Sequence, residues 1–311
     1  MATLKEIPRR PLGQTGEMVS ALGMGGYHLG MVGTERAAIS LMHQAIDAGI
    51  RFMDNAWEYH DGVSEIRMGK ALAKGWREKV FLMTKVCTHG RDAKVAMRQL
   101  EESLRRLKTD HLDLWQVHEV AYQGDPARHF ARGGVIEALD RAKQKGLVRF
   151  VGFTGHKDPS LHLEMLSHGY PFDTCQMPLN VFDATFRSFE QHVLPELARQ
   201  GIAAIGMKSM CGEGTPVTKR AVSAKDALRY AMSLPVAVTV SGIDSAKVLR
   251  QNVSVARGFV PLSASAMDRL RKQAVSHAVD GRFELYKTSA KHEGDVGRKQ
   301  HGFPLQAEMA G

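Results

Sequence analysis

Residues 19–30 read Val19-Ser20-Ala21-Leu22-Gly23-Met24-Gly25-Gly26-Tyr27-His28-Leu29-Gly30, a β-rich run that opens onto a cluster of glycines. An open, doubly wound sheet places a G-x-G-x-x-G turn after its first strand, because those glycines let the backbone and a helix N-terminus approach a pyrophosphate. The run Met24 to Gly30 lacks that spacing. The competing parallel architecture is a closed barrel, and the rest of the chain supports it. Short β-rich runs recur at 19–23, 50–54, 80–85, 112–118, 148–153, 172–177, 202–207 and 236–240. Between them lie segments of helical period at 36–48, 64–73, 93–107, 135–144, 159–167, 189–199 and 224–232. Gly49, Gly146, Gly169 and Gly201 follow helix ends, where a left-handed cap costs glycine least. Strict strand–helix alternation means a parallel sheet, and eight units close it into a (β/α)8 TIM barrel of the α/β class.

Two pieces fall outside the repeat. The stretch Arg10-Pro11-Leu12-Gly13-Gln14-Thr15-Gly16-Glu17-Met18-Val19 predicts a short N-terminal hairpin, within about residues 1–18, over the closed end of the barrel. From Gly281 to Gly311 the chain is polar with little periodicity, and is read as an irregular C-terminal tail, either loose or draped over the site. Residues 1–311 then form a single barrel domain.

The composition of the 311 residues, 43% hydrophobic and 24% charged, is that of a globular protein. The formal charge is +9, but Lys and Arg are scattered through helical segments without interleaved aromatics, so no nucleic-acid partner is expected. No apolar run reaches the roughly 20 residues that span a bilayer, and no membrane partner is expected. The pair Arg9-Arg10 is followed by no apolar export region. Cys87, Cys175 and Cys211 form no C-x-x-C pair and read as reduced thiols of a cytoplasmic protein; no residue is assigned to a metal. The oligomeric state is not legible.

Barrel enzymes carry their chemistry at the carboxyl ends of the strands. Three consecutive strands end in ionisable groups, Asp54, Lys85 and His118, and Tyr59 follows the first of them. Each alone is an ordinary polar strand terminus; together they make a proton-transfer set. A lysine held by a carboxylate stays charged and lowers a neighbouring phenol from its usual pKa of roughly 10. Such a phenol can protonate a carbonyl oxygen as hydride arrives, and a neutral histidine can donate a hydrogen bond to the same oxygen.

The motifs Asp54-Asn55-Ala56-Trp57-Glu58-Tyr59, Thr84-Lys85 and Gln116-Val117-His118 resemble the catalytic tetrad motifs of the aldo-keto reductases. The resemblance extends to Leu12-Gly13-Gln14-Thr15-Gly16, Leu22-Gly23-Met24-Gly25, Gly242-Ile243-Asp244-Ser245 and Gln251-Asn252. It implies an oxidoreductase that moves hydride between a nicotinamide cofactor and an aldehyde, a ketone or the corresponding alcohol. Tyr59 is then the general acid/base, Lys85 and Asp54 its tuning pair, and His118 the orienting group. It further implies that Thr154 and Gln176 hold the nicotinamide carboxamide, with Gly26, Tyr27, Asp54, Gly155, Met207, Lys208, Gly242, Asp244, Gln251 and Asn252 along the cofactor cleft.

The chain departs from the family pattern in three places. Thr154-Gly155-His156 stands where many members carry Ser-Asn, so His156 is either a replacement contact or a loop histidine. Met207-Lys208 stands where an aromatic residue often stacks on nicotinamide; Met207 is either a soft substitute or barrel wall, and Lys208 can meet the pyrophosphate. Asp244 suits a ribose hydroxyl and repels a 2′-phosphate, so NADP(H) is favoured by the family pattern while NAD(H) stays possible. Substrate contacts are expected from Tyr122, His129, Phe130 and Arg132 after strand four, with Lys287, Lys291 and His292 adding charge from the tail. Cys87, two residues past Lys85, is read as packing or loop.

Two other readings compete. In one, Lys85 is the Schiff-base lysine of a lyase. In the other, the protein binds cofactor chiefly as a redox-sensing or regulatory subunit.

Overall fold

In the computed structural model, residues 5–87 and 92–289 are described, together with positions 295, 299, 304, 305 and 308. The chain opens with an antiparallel pair, β1 (Arg9–Pro11) and β2 (Met18–Ser20), in the register Arg10↔Val19. The barrel strands follow as β3 (Leu22–Gly25), β4 (Phe52–Asp54), β5 (Phe81–Cys87), β6 (Leu112–His118), β7 (Val148–Thr154), β8 (Thr174–Pro178), β9 (Ala203–Met207) and β10 (Val238–Gly242). All eight are parallel, and β10 pairs with both β9 and β3 to close the barrel. Every residue of β5 and β6 is buried, as a sheet covered on both faces requires.

The run at 19–23, expected as one strand, is divided at Ala21. Its first part belongs to the hairpin and its second part to the barrel. Ser20 makes the division: its Oγ donates to the Leu22 carbonyl and accepts from the amides of Arg51 and Phe52. β-propensity reports an extended backbone but not which neighbour it pairs with. The hairpin lies over the closed end, as expected. Its Leu12 and Val19 join Phe52, Phe81, Met83, Leu114, Ile205 and Val238 in one apolar cluster. Arg149 ties this end together, pairing with Glu17 of the hairpin and with Asp113 of β6, which also accepts from Arg77. A cavity of about 430 Å³ opens beside the hairpin. It has little chemistry to offer, since Arg10 on its wall spends its guanidinium on the carbonyls of Met232 and Val236.

The outer helices follow from caps and apolar stripes. Asp92 accepts from the amides of Lys94 and Val95 and starts the helix Ala93–Leu107, which buries Ala96, Met97, Leu100, Ser103 and Leu107. Gly146 (φ +69°) and Gly201 (φ +70°) take the left-handed conformation expected of them at helix ends. One long helix, Ala264–Ala278, was absent from the eightfold rhythm because no strand follows it.

The part of the tail from Gly281 to Ser289 is draped over the barrel. It carries the short helix Leu285–Thr288 and buries Phe283, Tyr286 and Lys287. Lys287 pairs with Asp183 at 2.6 Å and Glu284 at 3.0 Å and donates to the Phe186 carbonyl. Its charge is therefore internal and is not offered to a substrate. Lys291 and His292 lie outside the described residues.

Candidate active site

Parallel pairing sets Asp54, Lys85 and His118 side by side at the carboxyl end of the barrel. Lys85 pairs in register with Gln116, and Cys87 with His118. The Lys85 ammonium donates to Asp54 Oδ1 and to the Asn55 carbonyl, both at 2.8 Å, and is 1% exposed. Asp54 Oδ2 accepts from Gln176 Nε2 at 2.8 Å, so both carboxylate oxygens are bonded.

Tyr59 stands over this pair. Its ring centroid is 5.2 Å from the Lys85 ammonium and lies edge-on to the rings of Tyr27 (5.4 Å) and His118 (5.7 Å). The turn that carries it is clamped from behind. Trp57 N–H donates to the Lys85 carbonyl, Trp57 Nε1 donates to Glu102, and Arg106 bonds both the Trp57 carbonyl and the buried Glu65. His60, at φ +52°, fills the space over Gly30, where any Cβ would lie 2.2 Å from its ring. The cost of that backbone conformation is absorbed beside the site, a common location for strain.

The electrostatics of Tyr59 differ from the sequence expectation. Burial, and then the carboxylates of Asp54, Glu58 and Glu119, push the phenol well above its ordinary pKa, outweighing the lysine. Burial lowers the Lys85 pKa, and Asp54 opposes that shift. Such a phenol keeps its proton at neutral pH, as a donor to a carbonyl must.

A further pair was not foreseen. His118 Nδ1 lies 2.7 Å from Glu58 Oε1, and both side chains are below 10% exposure. Glu119, next in sequence to His118, is also buried and holds φ +54°. The only signal for these carboxylates is adjacency, since one precedes the tyrosine and the other follows the histidine.

Among the residues expected along a cofactor cleft, Thr154 and Gln176 pair in register on β7 and β8. Thr154 Oγ1 and Gln176 Oε1 are buried and have no partner among the described residues. Gly155 has a packing reason as well, because a Cβ there would lie 2.5 Å from the Val120 carbonyl. Gly26 is similar, with Asp54 O at 2.6 Å from any added Cβ. Met207 ends β9 half-buried, and Lys208 follows it at φ +54° with its ammonium 5.4 Å from the Tyr286 ring centroid. His156 is buried, edge-on to the same ring. The two readings of His156 thus meet at a residue packed under the tail.

The late stretch divides. The His28 ring lies over Gly242, Asp244 and Gln251 are exposed, and Asn252 donates to Ser241 Oγ from a buried position. Ser245 caps the helix Ala246–Ala256. Of the loop residues expected at the substrate, Phe130 instead stacks on His168 and His129 is buried, while Tyr122 is half-buried and Arg132 exposed. Cys87 ends β5 buried, as packing.

A closed eight-stranded barrel with an Asp–Lys pair under a tyrosine, flanked by histidine at successive strand ends, defines a class of barrel oxidoreductases. Residues 21–223 match the aldo/keto reductase family, and the chain belongs to it. It is 29% identical over 214 residues to the aldo-keto reductase YhdN of Bacillus subtilis (strain 168), covering 64% of this chain and 61% of that protein. The fold of the aldo-keto reductase AKR11C1 from Bacillus halodurans (holo form) superposes with TM-score 0.73 at 25% identity, over 86% of this chain and 96% of that one. An aldo-keto reductase from Klebsiella pneumoniae, in complex with NADPH, gives TM-score 0.69 at 21% identity over 87% and 95% of the two chains. Alignments with curated relatives span between 43% and 65% of their length.

Proposed function

We propose that this protein is an NAD(P)-dependent carbonyl reductase in which Tyr59 is the proton donor. The observation that carries the reading is the buried Lys85–Asp54 pair beneath the Tyr59 ring, with His118 edge-on to the same ring. The chain's residues suit a nicotinamide. Thr154 Oγ1 and Gln176 Oε1, buried without partners among the described residues, are complementary to a carboxamide. Lys208 and the N-terminus of the helix Ala246–Ala256 suit phosphate groups. When bound, the cofactor supplies or accepts the hydride. The protein's own task is to orient the carbonyl, hold the proton on Tyr59 and keep the donor group in a low-dielectric setting.

NADP(H) is the favoured form, on the family's pattern and in line with the NADPH held by the Klebsiella relative. Asp244 is the residue that opposes a 2′-phosphate. The substrate is a small aldehyde or ketone, or the alcohol in reverse. Residues 1–311 act as one domain, with a cytoplasmic location supported by three buried cysteines that stand outside any disulfide among the described residues. Among the described residues, no helix is long and apolar enough to cross a membrane.

The lyase reading is disfavoured by Lys85 itself. Its ammonium is bonded to Asp54 and the Asn55 carbonyl, and a Schiff base would require leaving both. Borohydride trapping with a carbonyl substrate checks this; a covalent adduct on Lys85 defeats the reductase reading. The deciding experiment is a fluorescence titration with NADPH and NADH, followed by turnover of aldehydes, ketones and keto-sugars with the tighter one. Turnover is expected, and tight binding without turnover on any of them would support the regulatory alternative instead.

A further inference from the structure

His28, in the short helix Gly26–Met31 after β3, rests its ring over the end of β10. The space exists because Gly242 has no side chain: a Cβ there would stand 2.4 Å from the imidazole. Gly242 pairs in register with Gly25, so neither strand end fills this corner with a side chain of its own. A packing histidine is the competing explanation. Two others show what that looks like, since His43 bonds the Ala71 carbonyl at 2.7 Å and His60 the Tyr27 carbonyl at 2.8 Å. His28 differs from both. It is half-buried and has no hydrogen bond or ion pair among the described residues.

Lys208, beyond β9, is in the same condition. Its ammonium has no hydrogen bond or ion pair among the described residues and stands 5.4 Å from the Tyr286 ring centroid. The groups that face His28 are Asp244 from the loop after β10, Lys208, His60 from the turn after β4, and the Tyr27 ring of its own helix at 5.8 Å. Burial lowers the imidazole's pKa from its ordinary 6.5; Asp244 opposes the shift, and Lys208 and His60 add to it. Lys208 thus disfavours a second positive charge at His28. An anion received beside the two basic groups reverses that balance, because it pairs with the ammonium and favours the charged imidazole. Gly242 and Lys208 already border the cleft read for the cofactor. The pyrophosphate of a nicotinamide dinucleotide is an anion of the required kind.

We propose that His28 is a ligand of the cofactor's pyrophosphate, beside Lys208, and that it takes one proton from solvent as the dinucleotide binds. The inference rests on the reductase reading and deepens it, by making cofactor capture dependent on pH through a residue far from the proton-donating Tyr59 in sequence. The protonated protein binds more tightly, so affinity falls as pH rises through the interval between the free and bound pKa values of His28.

The test is a fluorescence titration of NADPH and NADH across about pH 5–8, where histidine changes charge, in the full-length wild type and His28→Gln. Glutamine keeps a hydrogen-bond donor but stays neutral. A phosphate contact that raises the imidazole by about one pKa unit makes the protonated protein bind about tenfold tighter. At about pH 5 the wild type should therefore bind each cofactor about tenfold tighter than His28→Gln, and at about pH 8 the two should agree within about twofold. Comparing the two proteins cancels the titration of the NADPH 2′-phosphate, whose own pKa is about 6. Nitrogen-15 NMR of the imidazoles supplies a second readout, within the wild type. With His28→Gln to assign the signal, His28 should titrate about one pH unit higher with NADH bound than without it.

An identical pH dependence in the two proteins, or a His28 signal that cofactor leaves unmoved, would overturn the proposal. Binding that follows His28 without turnover of any carbonyl would support it and sink the reductase reading. Failure to bind either cofactor at any pH would sink both.

Discussion

The two ends of the barrel are built from the same eight strands and solve opposite problems. At the closed end, Leu12 and Val19 of the hairpin press onto Phe52, Phe81, Leu114 and Val238, and the rings of Phe52 and Phe81 stack at 5.4 Å. Its charges, Asp113, Arg149 and Arg77, pair at the periphery. At the open end the strands carry Asp54, Lys85, His118, Thr154 and Gln176 at or near their carboxyl ends, all of them buried. Apolar burial stabilises the first end. The second carries ionised groups whose desolvation is offset only by close pairing. Apolar packing dominates the closed end and paired charge the open end, so the closed end can be altered with limited effect on the chemistry.

The largest expected effect lies at the open end. Tyr59→Phe should reduce kcat for carbonyl reduction by about 10²–10⁴-fold, with cofactor affinity and melting temperature near wild type. Steady-state kinetics with a fluorescence titration checks it, and near-normal turnover would remove Tyr59 as donor. Because burial and carboxylates raise this phenol's pKa, it should remain protonated beyond pH 10 in the free protein. A difference ultraviolet titration of wild type against Tyr59→Phe should show no lost ionisation below that pH.

Lys287→Met probes whether the open end also carries stability. It would leave Asp183 and Glu284 buried without their cation, at a cost of about 3–5 kcal/mol in urea unfolding. A loss under about 1 kcal/mol would show that the tail contributes little. Leu12→Ala tests the closed end alone and should cost about 2–4 kcal/mol. Its kcat should be unchanged where the protein is folded, and an equal loss of activity would break the separation of the two ends. The smallest effect concerns Asp244. Asp244→Ser should tighten NADPH by a few-fold, roughly 1 kcal/mol for an exposed charge, and leave NADH nearly unaffected, as read by titration of both.

Much of the frame was legible. The helices Ala93–Leu107, Val135–Gln144 and Pro159–Ser167 begin and end as their caps and apolar spacing indicate. Asp54, Lys85 and His118 could be placed because strand ends in a barrel all point to one face. The helix Ala264–Ala278 went unread, although Ser263 is a good N-cap and Met267, Ala274 and Ala278 recur on its buried face. Other features depend on distant contacts. Gln176 reaches Asp54 across 122 positions, and Lys287 reaches Asp183 across 104. The direction of the Tyr59 shift was misjudged because Glu58 and Glu119 had no assigned place. Sequence adjacency placed them near the phenol but did not give the sign of their sum.

Closure of the barrel has a consequence for how the protein is made. The family match ends at residue 223, whereas the strand that joins β9 to β3 is Val238–Gly242. Arg10 reaches carbonyls at residues 232 and 236, more than two hundred positions ahead of it. Every residue of the Tyr59 site through His118 is therefore synthesised long before the sheet can close around it. Until β10 arrives, β3 and β9 present two unpaired edges. A chain released early would hold the catalytic side chains without the enclosure that sets their acidity, and would expose two strands open to pairing with another molecule.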